Sequence, residues 1–186
     1  MIEPNCSYCV EGELLDAFGI KIGELPMSKV ILFKEQSHRG RVIVACKQHV
    51  DDITYLSKED RIQFLEDVNH VAEVLHELFH PDKINFGAYG DTMHHLHFHL
   101  VPKYRDGYEW GGVFAMNPHE KELTAAEYDE LVEAVNKFAD KFETITVSEP
   151  LLGQVGADAA QVNNDKQAVA EAVVSAAVAD AQYSSL

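Results

Sequence analysis

The chain has 186 residues, 46% of them hydrophobic, and carries 15 basic against 31 acidic residues for a formal charge of −16. That length supports one domain with a full core, or a domain with an appendage. The acidic balance excludes a sequence-independent binder of long nucleic acid or of an anionic membrane, which needs a broad positive footprint. No apolar run approaches the roughly 20 residues that span a bilayer. The N-terminal "MIEPNCSYC" has neither the basic nor the apolar part of a secretory signal, so a cytoplasmic protein is expected.

Three cysteines, an odd number, point away from a disulfide framework. Cys6 and Cys9 form a C-x-x-C that suggests a metal or a redox pair, whereas Cys46 falls inside an apolar strand pattern and reads as core. "SKVILF" (28–33) reads as a strand. "GRVIVACK" (40–47) reads as another, with Val42, Val44 and Cys46 toward the core and Arg41, Ile43, Ala45 and Lys47 on the other face.

A long amphipathic helix follows. Ser57 with Asp60 three residues on approximates a capping box, Ile62, Leu65, Val68, Val71, Val74, Leu75 and Leu78 keep helical spacing, and Pro81 marks the stop. His70, His76 and His80 read as solvated or capping residues of that helix. "KINFGAY" is a short strand that leads through Gly90 and Asp91 into a histidine-rich segment, and Thr124 with Glu127 opens a second amphipathic helix, "TAAEYDELVEAVNKFADKF". Strands joined by short turns and covered by a helix predict an α+β domain with an antiparallel sheet. The domain is expected to span 1–148. Residues 149–186 turn alanine-rich and aromatic-poor and read as an appendage with no assigned chemistry.

The segment "HHLHFHL" (94–100) sets His95, His97 and His99 in strict alternation with Leu96, Phe98 and Leu100, the period of a strand with one apolar face. Same-face neighbours on a strand stand roughly 6.5 to 7 Å apart, so two of them can grip one small ion but three overreach it. Either the three divide their labour or they are polar residues on a solvated face. Basic residues gather close by, Arg39, Arg41 and Lys47 around one strand and Lys103 and Arg105 after the histidines, which suits a small anionic substrate.

"HLHFHLVPK" after a central helix, preceded by "GRVIVACKQH" and an N-terminal C-x-x-C, resembles the histidine triad superfamily of nucleotide hydrolases and transferases over roughly residues 3–118. "INFGAYGD" and "EWGGVFAMNP" (109–118) resemble a bacterial branch of it. The resemblance implies a sheet of about five antiparallel strands with a long central helix and a C-terminal helix, and a homodimer. It implies a structural zinc on Cys6, Cys9, His49 and His95, a donor set that suits tetrahedral zinc. A metal-free turn or a redox pair remain the other readings of the C-x-x-C.

His97 falls on the family's nucleophile, which attacks the α-phosphorus of a nucleotide to form a nucleotidyl-histidine intermediate. His99 falls on its phosphate-contacting histidine, and Lys103, where many members carry arginine, adds to that field. Dinucleoside polyphosphates and nucleoside phosphoramidates are the implied substrates. One position departs from the pattern: many members begin the second strand with a fourth histidine, where this chain has Arg41. A guanidinium there implies electrostatic stabilisation of phosphate rather than proton shuttling, or simply an exposed edge arginine. Two other readings of the whole site stand beside the hydrolase: a nucleotide-binding regulatory protein with negligible turnover, and a catalytic zinc held by His95 and His97.

Overall fold

A computed structural model describes residues 3–116, 118, 121 and 123–139. The chain divides into two units, Met1–Thr146 and Val147–Leu186, and every described residue lies in the first. The alanine-rich appendage assigned to 149–186, and the last residues of the helix expected from Thr124, lie outside the described residues.

Two one-turn helices, α1 (Ser7–Val10) and α2 (Glu13–Asp16), precede β1 (Gly19–Glu24), β2 (Ser28–Phe33) and β3 (Val42–Cys46). The long helix α3 (Lys58–Phe79) then leads to β4 (Lys83–Gly87), β5 (His97–Lys103) and α4 (Ala125–Ala139). The five strands make one sheet in the order β1-β2-β3-β5-β4, antiparallel at every pairing. The expected α+β architecture is what the chain adopts.

Helix α3 begins where its cap does: Ser57 Oγ accepts the Asp60 N–H at 3.1 Å, a contact worth about 1 kcal/mol. It ends at His80, whose left-handed conformation (φ 46°) turns the chain ahead of Pro81. Phe64, Val68, Val71, Ala72, Val74 and Leu75 bury the helix against Val30, Leu32, Val42, Val44, Cys46 and Leu100 of the sheet, and α4 adds Leu131 and Val135. Two expectations for the helix need correction. Leu65, placed in the apolar stripe, is 43% exposed while its neighbour Phe64 is fully buried. His70, expected in solvent, is buried; His76 and His80 are exposed. Asp67 ties α3 to the start of β2, accepting from the Met27 N–H and the Ser28 hydroxyl, both at 2.8 Å.

The opposite face of the sheet carries a second core. Ile31, Phe33, Ile43 and Ala45 pack against Cys6, Tyr8 and Leu15 of the N-terminal segment, so this face is covered rather than solvated. Among the described residues no helix is long and apolar enough to cross a membrane.

Candidate active site and metal cluster

Strand β5 pairs with β3 so that His97 stands opposite Ala45 and His99 opposite Ile43. The alternation seen in the sequence therefore turns Leu96 and Leu100 into the α3 core and the three histidines onto the face that the N-terminal segment covers. All three are buried, which removes the reading of a solvated histidine row. His95 lies two residues before the strand proper, held by its own N–H to the Met93 carbonyl at 2.8 Å, while Leu96 bridges to Cys46 and Val50.

The division of labour among the histidines is visible in their hydrogen bonds. His95 Nε2–H donates to the Cys46 carbonyl at 2.7 Å, which leaves its Nδ1 lone pair facing Cys6 and Cys9. Cys6 Sγ lies 3.3 Å from His95 Nδ1, Cys9 Sγ lies 3.3 Å from His49 Nδ1 and 3.6 Å from His95 Nδ1, and the two Nδ1 atoms are 3.1 Å apart. All four donor atoms fall within 4.8 Å of one another. Zinc–sulfur bonds of about 2.3 Å and zinc–nitrogen bonds of about 2.05 Å at tetrahedral angles put neighbouring ligands about 3.3 to 3.8 Å apart, and the four distances of 3.1 to 3.6 Å lie close to that range. Burial pushes the Cys6 thiol up, so its thiolate needs a cation beside it. Donor chemistry, spacing and the carbonyl behind His95 all fit a four-ligand zinc site.

His97 is oriented differently. Its Nδ1–H donates to the His95 carbonyl at 2.6 Å, so the lone pair of the neutral ring sits on Nε2. Burial holds the imidazole below its usual range, and the ring is neutral at pH 7. Tyr8 packs on His97 and His95, with ring centroids 5.0 and 5.2 Å away. His97 is 5% exposed and is one of the residues that line an open cleft with Asp51, Asp52, Ala88, Tyr89 and Gly90.

His99 stacks edge-on against His97 at 5.2 Å and is pushed down to about 3 by burial, with the nearby Arg41 charge adding to the effect. Arg41 Nη2–H donates to His99 Nδ1 at 3.3 Å. The guanidinium also donates from Nη1 to the Met116 carbonyl at 2.8 Å and lies over the Phe33 ring at 4.1 Å. It is fully buried, so the reading of an exposed edge arginine does not hold.

The segment 109–116 wraps this end of the triad. Its Glu109 carboxylate accepts from the Ala115 N–H at 2.8 Å and from His38 Nε2–H at 3.2 Å. Phe114 packs against His99 and Tyr89, with centroids 6.1 Å away in each case. Gly87 is required where β4 passes beneath, because a Cβ there would lie 2.6 Å from the Tyr89 ring and 2.9 Å from that of Phe114. Lys103, expected among the phosphate contacts, is buried and donates to the carbonyls of Glu109 and Gly112. Its ammonium is hydrogen-bonded to the segment. The sequence reading brings Cys6, Cys9, His49 and His95 together, and His97 with His99 and Arg41. It missed Tyr8, His38 and Glu109, of which Tyr8 and Glu109 fell in stretches singled out beforehand, the C-x-x-C and 109–118.

An antiparallel five-stranded sheet that presents alternating imidazoles beside a Cys–His cluster defines a histidine triad protein. The family model described as HIT domain matches residues 19–106, and the fold is that of solved histidine triad proteins. A second model, described as Cobalt chelatase (CbiK), matches 121–184, a stretch mostly outside the described residues. Protein hit of Bacillus subtilis (strain 168) is 24% identical over 123 residues, 59% of this chain and 79% of its own length. A histidine triad protein from Marinobacter aquaeolei VT8 superposes with a TM-score of 0.64 at 24% identity, over 72% of this chain and 97% of that one. A histidine triad family protein from Mycobacterium smegmatis, solved with zinc bound, superposes at 0.50 with 22% identity, over 68% and 91%.

Proposed function

We propose that the protein is a cytoplasmic nucleotide hydrolase or nucleotidyl transferase that cleaves at the α-phosphate through a covalent intermediate on His97. The observation that carries this reading is the 2.6 Å hydrogen bond from His97 Nδ1–H to the His95 carbonyl, which leaves Nε2 unprotonated in a residue that lines an open cleft. Nε2 attacks the α-phosphorus as the bond to the leaving group breaks, and the leaving group departs with the bonding electron pair. Water or another acceptor then attacks the same phosphorus, expels the imidazole and loses a proton. His99 stabilises the charge that develops on the non-bridging oxygens. Dinucleoside polyphosphates and nucleoside phosphoramidates are the substrates.

Zinc on Cys6, Cys9, His49 and His95 is structural in this account: bound there, it cross-links the N-terminal segment to the triad strand. A catalytic zinc on His95 and His97 is disfavoured, since His95 Nδ1 belongs to a four-donor cluster and His95 Nε2–H is committed to the Cys46 carbonyl. A homodimer is the assembly that the resemblance to the family implies.

Release of nucleoside monophosphate from both substrate types by the zinc-loaded parent, and its loss in His97→Ala, tests the assignment. A fully zinc-loaded protein that releases none from either contradicts it.

A further inference from the structure

Arg41 occupies the position where the sequence departs from its family's histidine, and the departure has a geometry of its own. The residue immediately precedes β3, and the turn that delivers it is tightly bound. Gln36 Oε1 accepts the Gly40 N–H at 2.8 Å and Gln36 Nε2–H donates to the Arg41 carbonyl at 3.1 Å. Gly40 itself has a φ of +87° and sits 2.7 Å, at its missing Cβ, from the Phe79 ring. From this anchored backbone the side chain enters a closed space between Phe33 and Phe114, 4.1 and 5.1 Å from the two ring centroids. No part of the residue is exposed.

The guanidinium can only donate. Its contact with His99 Nδ1 at 3.3 Å therefore requires that nitrogen to carry a lone pair, so the neutral His99 ring bears its proton on Nε2. His97, held by a carbonyl on Nδ1, has the opposite tautomer. Two adjacent rings thus present opposite chemistry from the same atom: His97 offers an Nε2 lone pair, and His99 an Nε2–H donor. In the 109–116 segment, Arg41 Nη1 donates to Met116 O at 2.8 Å and Ala115 O at 3.4 Å, Nη2 also lies 3.1 Å from Met116 Sδ, and Nε is buried without a partner among the described residues. Because the residue is fully buried, a substrate phosphate reaches the guanidinium only if its cover, which includes that segment and the Phe33 ring, moves.

We propose that Arg41 is a positioning residue that fixes His99 as an Nε2–H donor and ties the 109–116 segment over the triad, without touching the substrate phosphate. The functional part of this inference rests on the α-phosphate chemistry assigned to His97; the tautomer and the tie do not. Without Arg41, His99 Nδ1 loses its donor and the ring is free to exchange tautomers, so a phosphate oxygen meets a donor only part of the time. A preorganised donor of this kind contributes about 10²- to 10³-fold to kcat when it acts in the transition state.

The test is long-range ¹H–¹⁵N NMR of the histidine rings in the zinc-loaded full chain at pH 7, for the parent, Arg41→Lys and Arg41→Met. Kinetics and hydrogen exchange of residues 109–116 are measured alongside. The expected result is an Nε2–H tautomer for His99 in the parent, retained in Arg41→Lys. Arg41→Met is expected to give tautomer averaging, faster exchange of the segment and a kcat about 10²-fold lower, with KM little changed. A His99 that is Nδ1-protonated or cationic in the parent overturns the inference and needs no variant to do so. A variant whose KM or nucleoside monophosphate Kd rises while kcat and tautomer hold overturns it too, since that marks a direct phosphate contact. If Arg41→Met fails to fold, the parent and Arg41→Lys spectra decide. A parent without turnover counts against the hydrolase reading, whereas an active parent with the wrong His99 tautomer counts against this one alone.

Discussion

His97 Nδ1 stands 2.6 Å from the carbonyl oxygen of His95, the residue whose own Nδ1 faces the two cysteines. One residue thus serves two sites: its ring joins the metal cluster and its backbone sets the tautomer of the next histidine on that face. Anything that shifts His95 moves both.

Replacing His97, the proposed nucleophile, leaves that framework in place. In His97→Ala the sheet and the Cys–His cluster persist, because the His97 side chain supplies no ligand and its one hydrogen bond goes to a backbone carbonyl. Turnover is expected to fall by at least about 10³-fold, with circular dichroism and zinc content unchanged. Assays on both substrate types read the first, and metal analysis reads the second.

Removal of the zinc proposed at the Cys–His cluster is expected to act on the whole domain. Cys6 is buried beside Tyr8 and Leu15 in the core that covers the histidine face, so losing its anchor uncovers Ile31, Phe33 and Ile43. Cys9→Ser, or chelation of the parent, is expected to lower Tm by roughly 10 °C and to abolish activity in the same transition. A calorimetric scan followed by a residual-activity assay measures both. Activity lost at an unchanged Tm points instead to a catalytic metal.

The pH dependence of stability carries a defined sign. His99 is pushed down to about 3 by burial and by Arg41, against about 6.5 in an unfolded chain. Between those values the unfolded state binds the extra proton, so the contribution from burying His99 neutral is complete above pH 6.5 and declines as pH falls toward 3. The slope is on the order of 1 kcal/mol per pH unit in that window. Urea midpoints compared between the parent and His99→Gln from pH 7 to 4 isolate it: the parent is expected to lose stability faster as pH falls.

Lys103 holds carbonyls, and its loss is expected to loosen a segment more than to weaken substrate binding. Lys103→Met leaves the Glu109 and Gly112 carbonyls without their donor, at a cost of about 1 to 3 kcal/mol. Hydrogen exchange should rise across 109–116 while KM changes less than twofold to threefold, roughly the range of a residue remote from substrate. A larger KM effect with unchanged exchange would mark Lys103 as a phosphate contact.

Much of this site is readable in the primary structure because its signals are local. The alternation from His95 to Leu100, the C-x-x-C and the capping pair Ser57–Asp60 each depend on residues a few positions apart, and each appears in the fold as a strand face, a cluster or a helix start. What was not readable is what covers what. Arg41 looked available for phosphate because the strand pattern set it opposite the core, but its cover comes from Ala115 and Met116, more than seventy residues later. The burial of the histidine face likewise depends on α1 and Tyr8 folding across it, which no periodicity encodes. Strand β1 escaped notice because "GIKIGE" alternates over only two apolar residues, and its pairing with β2 shifts register between Lys21 and Gly23.

The measurement that bears most directly on the central claim is intact mass spectrometry of the zinc-loaded protein, quenched soon after mixing with a nucleoside phosphoramidate or a dinucleoside polyphosphate and then denatured. The account predicts a covalent nucleotidyl adduct that survives denaturation, maps to His97 and is absent from His97→Ala. A parent that turns over substrate with no adduct at any time, or with one on another residue, would contradict it.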